Sequence, residues 1–146
     1  MGFLDSIKRG LGLVSQPLEQ STAPSPTQAS LSEVLGRCTR VRILDLGMVG
    51  DEALGPRVLL DTNNEDDLRG LRECLRISDG AAGAGHCMCI GSQAIELFSE
   101  GRTLAVLSLH HARSLRWDAW AHDAQLVEAE RLVSWLEAHG VADPKR

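Results

Sequence analysis

AIELFSEGRTLAVLSLHH, residues 94–111, is the stretch that decides the fold. Its two flanks, AIELF (residues 94–98) and TLAVLSLHH (residues 103–111), are dominated by aliphatic and β-branched side chains, and Gly101 in the intervening SEGR supplies the permissive backbone of a tight turn. The stretch predicts a β-hairpin. Pairing Phe98 with Thr103 fixes a register in which Glu96 faces Ala105, Gly91 faces His110, Cys89 faces Ala112 and Cys87 faces Ser114. Successive side chains alternate between the faces of a strand, so this register gathers Cys87, Cys89 and His110 on one face and Met88, Ile90 and His111 on the other. A bulge at residues 91–93 would exchange the two histidines on the thiol face.

Upstream of the hairpin, HCMCIG (residues 86–91) follows the small, flexible SDGAAGAG (residues 78–85). That segment holds G-x-x-G-x-G but lacks the Gly-Lys-Ser/Thr ending of a phosphate-binding loop, and a strand pattern rather than a helix follows it, so phosphate cradling is rejected. Before it, Asn63 and Asn64 precede a helix that puts Leu68, Leu71, Cys74 and Leu75 on one side, with Cys74 as a core residue. TRVRILDL (residues 39–46) and RVLLD (residues 57–61) are strands joined by a glycine-rich loop, most economically as an antiparallel pair. Ser30 and Glu33 form a capping box that starts a short helix over residues 31–35, ended by Gly36. Downstream, DAWAHDAQLVEAERLVSWLEAHG (residues 118–140) is helical text: Leu126, Ala129, Val133 and Leu136 form a stripe, Asp123 is placed as the cap, and Trp117 and Trp120 clamp the helix onto the sheet. The expected fold is an α+β domain with a small, mainly antiparallel sheet of four or five strands and helices packed on one face.

Two segments precede that domain, which is assigned to residues 31–142. Residues 1–14 place Phe3, Leu4, Ile7, Leu11 and Val14 at helical intervals, giving an amphipathic helix that needs a surface to bury against. Residues 15–30 hold three Pro, six Ser or Thr and three Gln, the composition of a flexible linker. An amphipathic helix on a tether resembles, in architecture alone, the docking peptides that bring cargo to bacterial shells or scaffolds. The partner expected for Phe3, Leu4, Ile7, Leu11 and Val14 is therefore a protein or scaffold; a membrane surface is the weaker alternative, since Lys8 and Arg9 give little lipid attraction.

Composition narrows the classes further. The 146 residues carry a net charge of -5, which repels a nucleic-acid backbone, and nucleic acid is set aside as a partner. Two Phe, no Tyr and three Trp leave few stacking platforms, so the core is built from aliphatic residues. No secretory leader and no apolar run near the roughly 18 residues of a membrane span is present. The expected compartment is the cytoplasm, where the four cysteines would stay reduced as core residues, ligands or redox groups. The Arg, Ala, Gly and Leu usage has a bacterial look.

Three readings compete for the thiol face. Cys87, Cys89, His86 and His110 are of the types that bind zinc, although a single-residue cysteine spacing splays thiolates on a strand by about 7 Å. A cysteine beside a histidine also makes a nucleophile and base, with Cys87 or Cys89 attacking and His110 or His111 taking the proton, as in thiol-dependent hydrolases and transferases. Alternatively, the thiols are simply small buried residues. A separate signal is the carboxylate-free span from Gly101 to Trp117: His110, His111, Arg113, Arg116 and Trp117 form a positive island suited to an anionic ligand or acidic peptide, or to internal pairing with nearby acids such as Asp123. The leading expectation is a small cytosolic binding or adaptor module with no resident cofactor, docking through residues 1–14 and receiving a ligand at the Cys/His/Arg face. The competing class is a thiol- or zinc-dependent enzyme.

Overall fold

The computed structural model describes residues 22–47, 56–80 and 88–144. Within them the chain runs α1 (Gln28–Arg37), β1 (Arg40–Asp45), β2 (Arg57–Thr62), α2 (Glu65–Cys74), β3 (Gln93–Ser99), β4 (Arg102–His110), β5 (Ser114–Arg116), β6 (Ala124–Gln125) and α3 (Ala129–Ala138). The strands form a sheet in the order β2-β1-β3-β4-β5-β6, with every neighbouring pair antiparallel. The class is α+β, as expected. The helix anticipated over residues 1–14 and the first part of its tether, residues 15–21, lie outside the described residues. None of the described helices is long and apolar enough to cross a membrane.

One face of the sheet carries the core. Val41 and Ile43 of β1, Ile95 and Leu97 of β3, and Ala105, Leu107 and Leu109 of β4 are buried in one cluster with Leu31 and Leu35 of α1, Leu68 and Leu71 of α2, and Leu132 and Leu136 of α3. At about 25 cal/mol per Å2 of apolar surface removed from water, this shared burial is what holds the helices to the sheet. The opposite face carries the alternate residues: Arg42, Glu96 and Val106 stand in one row, Arg42 and Glu96 pair at 2.6 Å, and Arg40 and Arg42 each lie 5.3 Å from the Phe98 ring centre.

Several local expectations are corrected. The hairpin begins as predicted, with Phe98 opposite Thr103, but the register then slips by one, so that Leu97 faces Ala105 and Glu96 faces Val106. The unbroken register would have turned Leu104, Val106, Ser108 and His110 toward the core; skipping Leu104 turns Ala105, Leu107 and Leu109 inward instead, a far more apolar set. The sheet has six strands rather than four or five, because β5 and β6 form where no strand was expected. Within residues 118–128, read from the sequence as helix, Ala124 and Leu126 are buried on either side of exposed Gln125, the period of a strand, and Leu126 bridges to Ile77. The last helix starts only at Ala129, and Asp123 does not cap it. At the other end, Thr27 rather than Ser30 caps α1, accepting from the Ser30 N–H at 3.2 Å. Trp120 is buried in the core cluster that also holds Leu132 and Leu136 of α3, and its indole N–H donates to the Ser30 hydroxyl at 3.0 Å, tying the turn before β6 to α1. The last residues of the segment read as linker thus belong to the domain.

Among the polar contacts that α2 makes with α3 and its C-cap, one involves a titratable ring. His139 donates from Nδ1 to the Trp135 carbonyl at 2.7 Å and from Nε2 to Asp67 Oδ1 at 3.0 Å, and its ring stacks on Trp135 at 4.0 Å. Donation from both nitrogens requires the imidazolium. Burial opposes that charge, but the Trp135 carbonyl and the Asp67 carboxylate outweigh it and raise His139 above the ordinary histidine value of 6.5. The same bond, with that from Thr62, holds the Asp67 carboxyl below its usual range. The raised histidine stabilises fully below its unfolded value and loses that contribution as pH climbs through the folded one; the lowered carboxyl contributes above its unfolded value and loses it as pH falls. The urea midpoint is therefore expected to decline as pH is taken from about 6 to about 9, and His139→Gln should flatten that decline. An equally steep decline in the variant would show that the coupling lies elsewhere.

Candidate functional site

The site is built on the sheet face opposite the described helices, where β4 turns into β5. Leu109 points into the core, so its neighbour His110 points the other way, beside Ser108 two residues back. None of the described helices packs on that face, yet His110 is 0% exposed. The cover is the segment leading into β3. Ser92 donates its N–H to the Leu109 carbonyl at 2.9 Å, and Gly91, at φ +92°, passes so close that a Cβ there would lie 2.9 Å from the Leu109 oxygen and 3.3 Å from His110 Nε2. Beyond His110 the turn is tight: His111 and Ala112 adopt φ of 53° and 52°, the left-handed region, at a cost of roughly 1–2 kcal/mol per non-glycine residue. That bend brings His111 back toward the same cover.

Cys89 is what the two histidines meet. Its Sγ lies 3.0 Å from His110 Nδ1 and 3.5 Å from His111 Nε2. The far nitrogen of His110, Nε2, is 2.8 Å from Ser108 Oγ. A hydroxyl donates or accepts equally well, so Ser108 satisfies His110 in either neutral tautomer and in the charged form. Cys89 is partly exposed and His111 exposed, whereas His110 is fully buried. Cys89 is also disulfide-bonded, whereas Cys38 and Cys74 are free and buried. Burial pushes the Cys74 thiol above its ordinary value, the mark of an inert core cysteine.

Arg116 holds the sulfur in place. Its guanidinium grips Asp123 with two hydrogen bonds, of 2.8 and 3.0 Å, and gives a further one to the Cys89 carbonyl at 3.2 Å. Asp123 is 2% exposed, and its hydrogen bond keeps Arg116 protonated well above the ordinary arginine value against the opposing effect of burial. Of the positive island expected as a ligand surface, Arg116 is thus engaged inside the protein. Arg113 is exposed, and Trp117 is partly buried edge-on to Trp120 at 5.2 Å and packed on the core. Asp123 is one of the nearby acids weighed for internal pairing; residues 124–125, paired as a strand with residues 114–115, place it across from Arg116.

Of the expected zinc ligands, Cys89 and His110 are in contact, while His86 and Cys87 lie outside the described residues. Among the described residues no group of three or more His, Cys, Asp or Glu has the geometry to hold a metal ion. The expected docking residues Phe3, Leu4, Ile7, Leu11 and Val14 also lie outside the described residues. An open groove of about 760 Å3 lined by Gln28, Arg76, Asp79, Glu128 and Arg131 lies apart from the sulfur, and several of its polar groups already pair with one another: the Gln28 N–H with Asp79 at 2.6 Å, and Arg131 with Glu128 at 3.0 Å.

Gly91 offers a direct test of the cover. Gly101 has a similar backbone, φ +74°, but open space where its Cβ would be. Gly101→Ala should lose only the conformational cost of about 1–2 kcal/mol, and Gly91→Ala more than that, because the Leu109 carbonyl or the His110 ring must also move. Equal urea midpoints for the two variants would mean that residue 91 does not seal the imidazole.

No protein-family model, no curated protein and no solved structure matches the chain.

Proposed function

We propose that this chain is a small thiol-chemistry domain in which Cys89 is the reacting sulfur and His110 its proton partner. The observation that carries the reading is the line Cys89 Sγ, His110 Nδ1, His110 Nε2, Ser108 Oγ, with steps of 3.0 and 2.8 Å on either side of a fully buried ring. A buried imidazole fixed by a hydroxyl at its far nitrogen is a group held for proton transfer, the arrangement by which a cysteine is made nucleophilic. With the sulfur reduced, the thiol proton passes to Nδ1 while Nε2–H donates to Ser108, and the thiolate attacks an electrophilic centre of the substrate. Arg116 supports this by fixing the Cys89 backbone. The surroundings of the sulfur suit a macromolecular substrate: Met88 is 100% exposed and Ile90 61% exposed on either side of Cys89, giving an apolar lip.

That lip also favours the second reading, a binding or adaptor module that holds a peptide against the Cys/His face, with Phe3, Leu4, Ile7, Leu11 and Val14 docking to a protein partner or scaffold. The two combine readily: the N-terminal segment would deliver the domain and the thiol would act on what is delivered. Zinc on Cys89 and His110, with Cys87 and His86, is the metal-dependent form of the same site.

The test is alkylation of the reduced protein with iodoacetamide as a function of pH, mapped by mass spectrometry, with metal content measured on the same sample. Cys89 is expected to react far faster than Cys38 and Cys74 near neutral pH, and His110→Asn to slow it about tenfold, the equivalent of one unit in thiol acidity. Alkylation of Cys89 as slow as that of the buried thiols would overturn the reading. Stoichiometric zinc, lost in His110→Asn, would assign the pair as ligands instead.

A further inference from the structure

We infer that His111 is a second catalytic group of this site, a general acid for the leaving group, and that the substrates are carboxylic esters or amides whose acyl group passes through the reduced Cys89. The inference rests on the thiol reading above and assigns its substrate class.

The two imidazoles at Cys89 are not equivalent. His110 Nδ1 lies 3.0 Å from Sγ, the residue is 0% exposed, and its Nε2 is engaged by Ser108 Oγ at 2.8 Å. A ring so enclosed can exchange a proton with the sulfur but cannot touch the leaving atom of a substrate. His111 Nε2 lies 3.5 Å from the same Sγ, and His111 is exposed where Cys89 is partly exposed. A substrate seated on the sulfur therefore meets His111. The thiol has one proton to give up, and His110 is the nearer and better fixed acceptor, so the second imidazole is left to serve the substrate.

The backbone supports this division. His110 still pairs with Ser114 in the ladder between β4 and β5, and a regular strand would send residue 111 to the opposite face. Instead His111 and Ala112 take φ of 53° and 52°, a conformation that non-glycine residues seldom adopt and that clusters at functional sites. The bend is what lets both rings reach one sulfur.

The transfer balances as follows. His110 Nδ1 takes the thiol proton and the sulfur bonds to the carbonyl carbon. The bond from that carbon to the leaving group breaks, and its electron pair goes to the leaving oxygen or nitrogen, which takes the proton carried on His111 Nε2 and departs as an alcohol or amine. Water then returns a proton to Nε2 while its oxygen bonds to the carbonyl carbon. The C–S bond breaks, its pair goes to Sγ, and Sγ recovers its proton from His110. The net change is hydrolysis, and an alcohol or amine in place of water makes it acyl transfer. A general acid counts most for poor leaving groups, where it contributes roughly a hundredfold or more.

The experiment mixes the reduced full chain with para-nitrophenyl acetate or with phenyl acetate and follows acetylation of Cys89 by mass spectrometry. Nitrophenolate leaves without a proton, whereas the more basic phenolate gains from one. His111→Asn is the main variant, because the position is exposed and asparagine tolerates its left-handed backbone. The nitrophenyl ester should acetylate this variant within about twofold of the original rate and the phenyl ester at least about tenfold more slowly. His110→Asn should slow both esters by the same factor, since it acts on the sulfur and not on the leaving group. Equal slowing of the two esters in His111→Asn, slowing of neither, or no acetylation of Cys89 by phenyl acetate in the unaltered chain overturns the inference. If Cys89 nevertheless alkylates rapidly with iodoacetamide and depends on His110, the thiol reading stands and only the role of His111 fails; slow alkylation removes both.

Discussion

Leu104 is the residue the β3–β4 ladder skips, and the placement of everything beyond it in β4 depends on that slip. With Thr103 opposite Phe98 and Ala105 opposite Leu97, β4 changes face after its first residues, and the apolar side chains Ala105, Leu107 and Leu109 enter the core shared with the three helices. Ser108 and His110 are thereby committed to the other face. A hydrophobic constraint, satisfied at one end of the hairpin, sets the direction of a histidine at the other end. No polar interaction at the site is needed to aim His110, only to hold what comes to meet it.

What meets it is held by charge. The Arg116–Asp123 pair is largely buried on the aspartate side, and such pairs seldom add much stability, because desolvation offsets most of the Coulombic gain. Its value here is positional. The guanidinium that satisfies Asp123 has a donor left for the Cys89 carbonyl, so the short strands β5 and β6 act as a bracket for a segment that belongs to neither. Gly91 completes the arrangement by letting the backbone pass within contact distance of the His110 ring, which contributes to the full burial of a histidine on the face opposite the described helices. The strained backbone at His111 and Ala112 fits the same picture: positive φ at two non-glycine residues persists only where the surrounding ladder dictates it, and its effect is to return a second imidazole to the sulfur.

The chemistry proposed for this corner draws on the contrast between its cysteine and the others. Cys38 and Cys74 sit in the core and behave as small apolar residues, whereas Cys89 is partly exposed, disulfide-bonded and in contact with titratable groups. A partly exposed cysteine in front of a buried imidazole suits thiol catalysis. The exposed Met88 and Ile90 beside it supply an apolar surface without which a peptide substrate would have little to rest on.

Much of this was fixed by local sequence. The alternation in residues 40–45, 57–62 and 93–110 specifies antiparallel strands, the stripe Leu68, Leu71, Cys74 and Leu75 specifies a helix, and the SEGR turn fixes the start of the hairpin, because periodicity and turn chemistry are properties of a few neighbouring residues. That Cys89 would meet one histidine was legible too, since a hairpin returns the chain along itself; that both reach it was not, because the left-handed bend at His111 and Ala112 brings the second imidazole round. The rest was decided in three dimensions. The slip at Leu104 answers to helices far away in sequence; β6 exists because Ala124 and Leu126 find Leu115 and Ile77 to pair with, against a local pattern that also suits a helix; and Asp123 is recruited by Arg116 across that pairing. In each case two local solutions differ by little, and the one that buries more apolar surface and satisfies a buried charge is chosen by contacts that no short window of sequence contains.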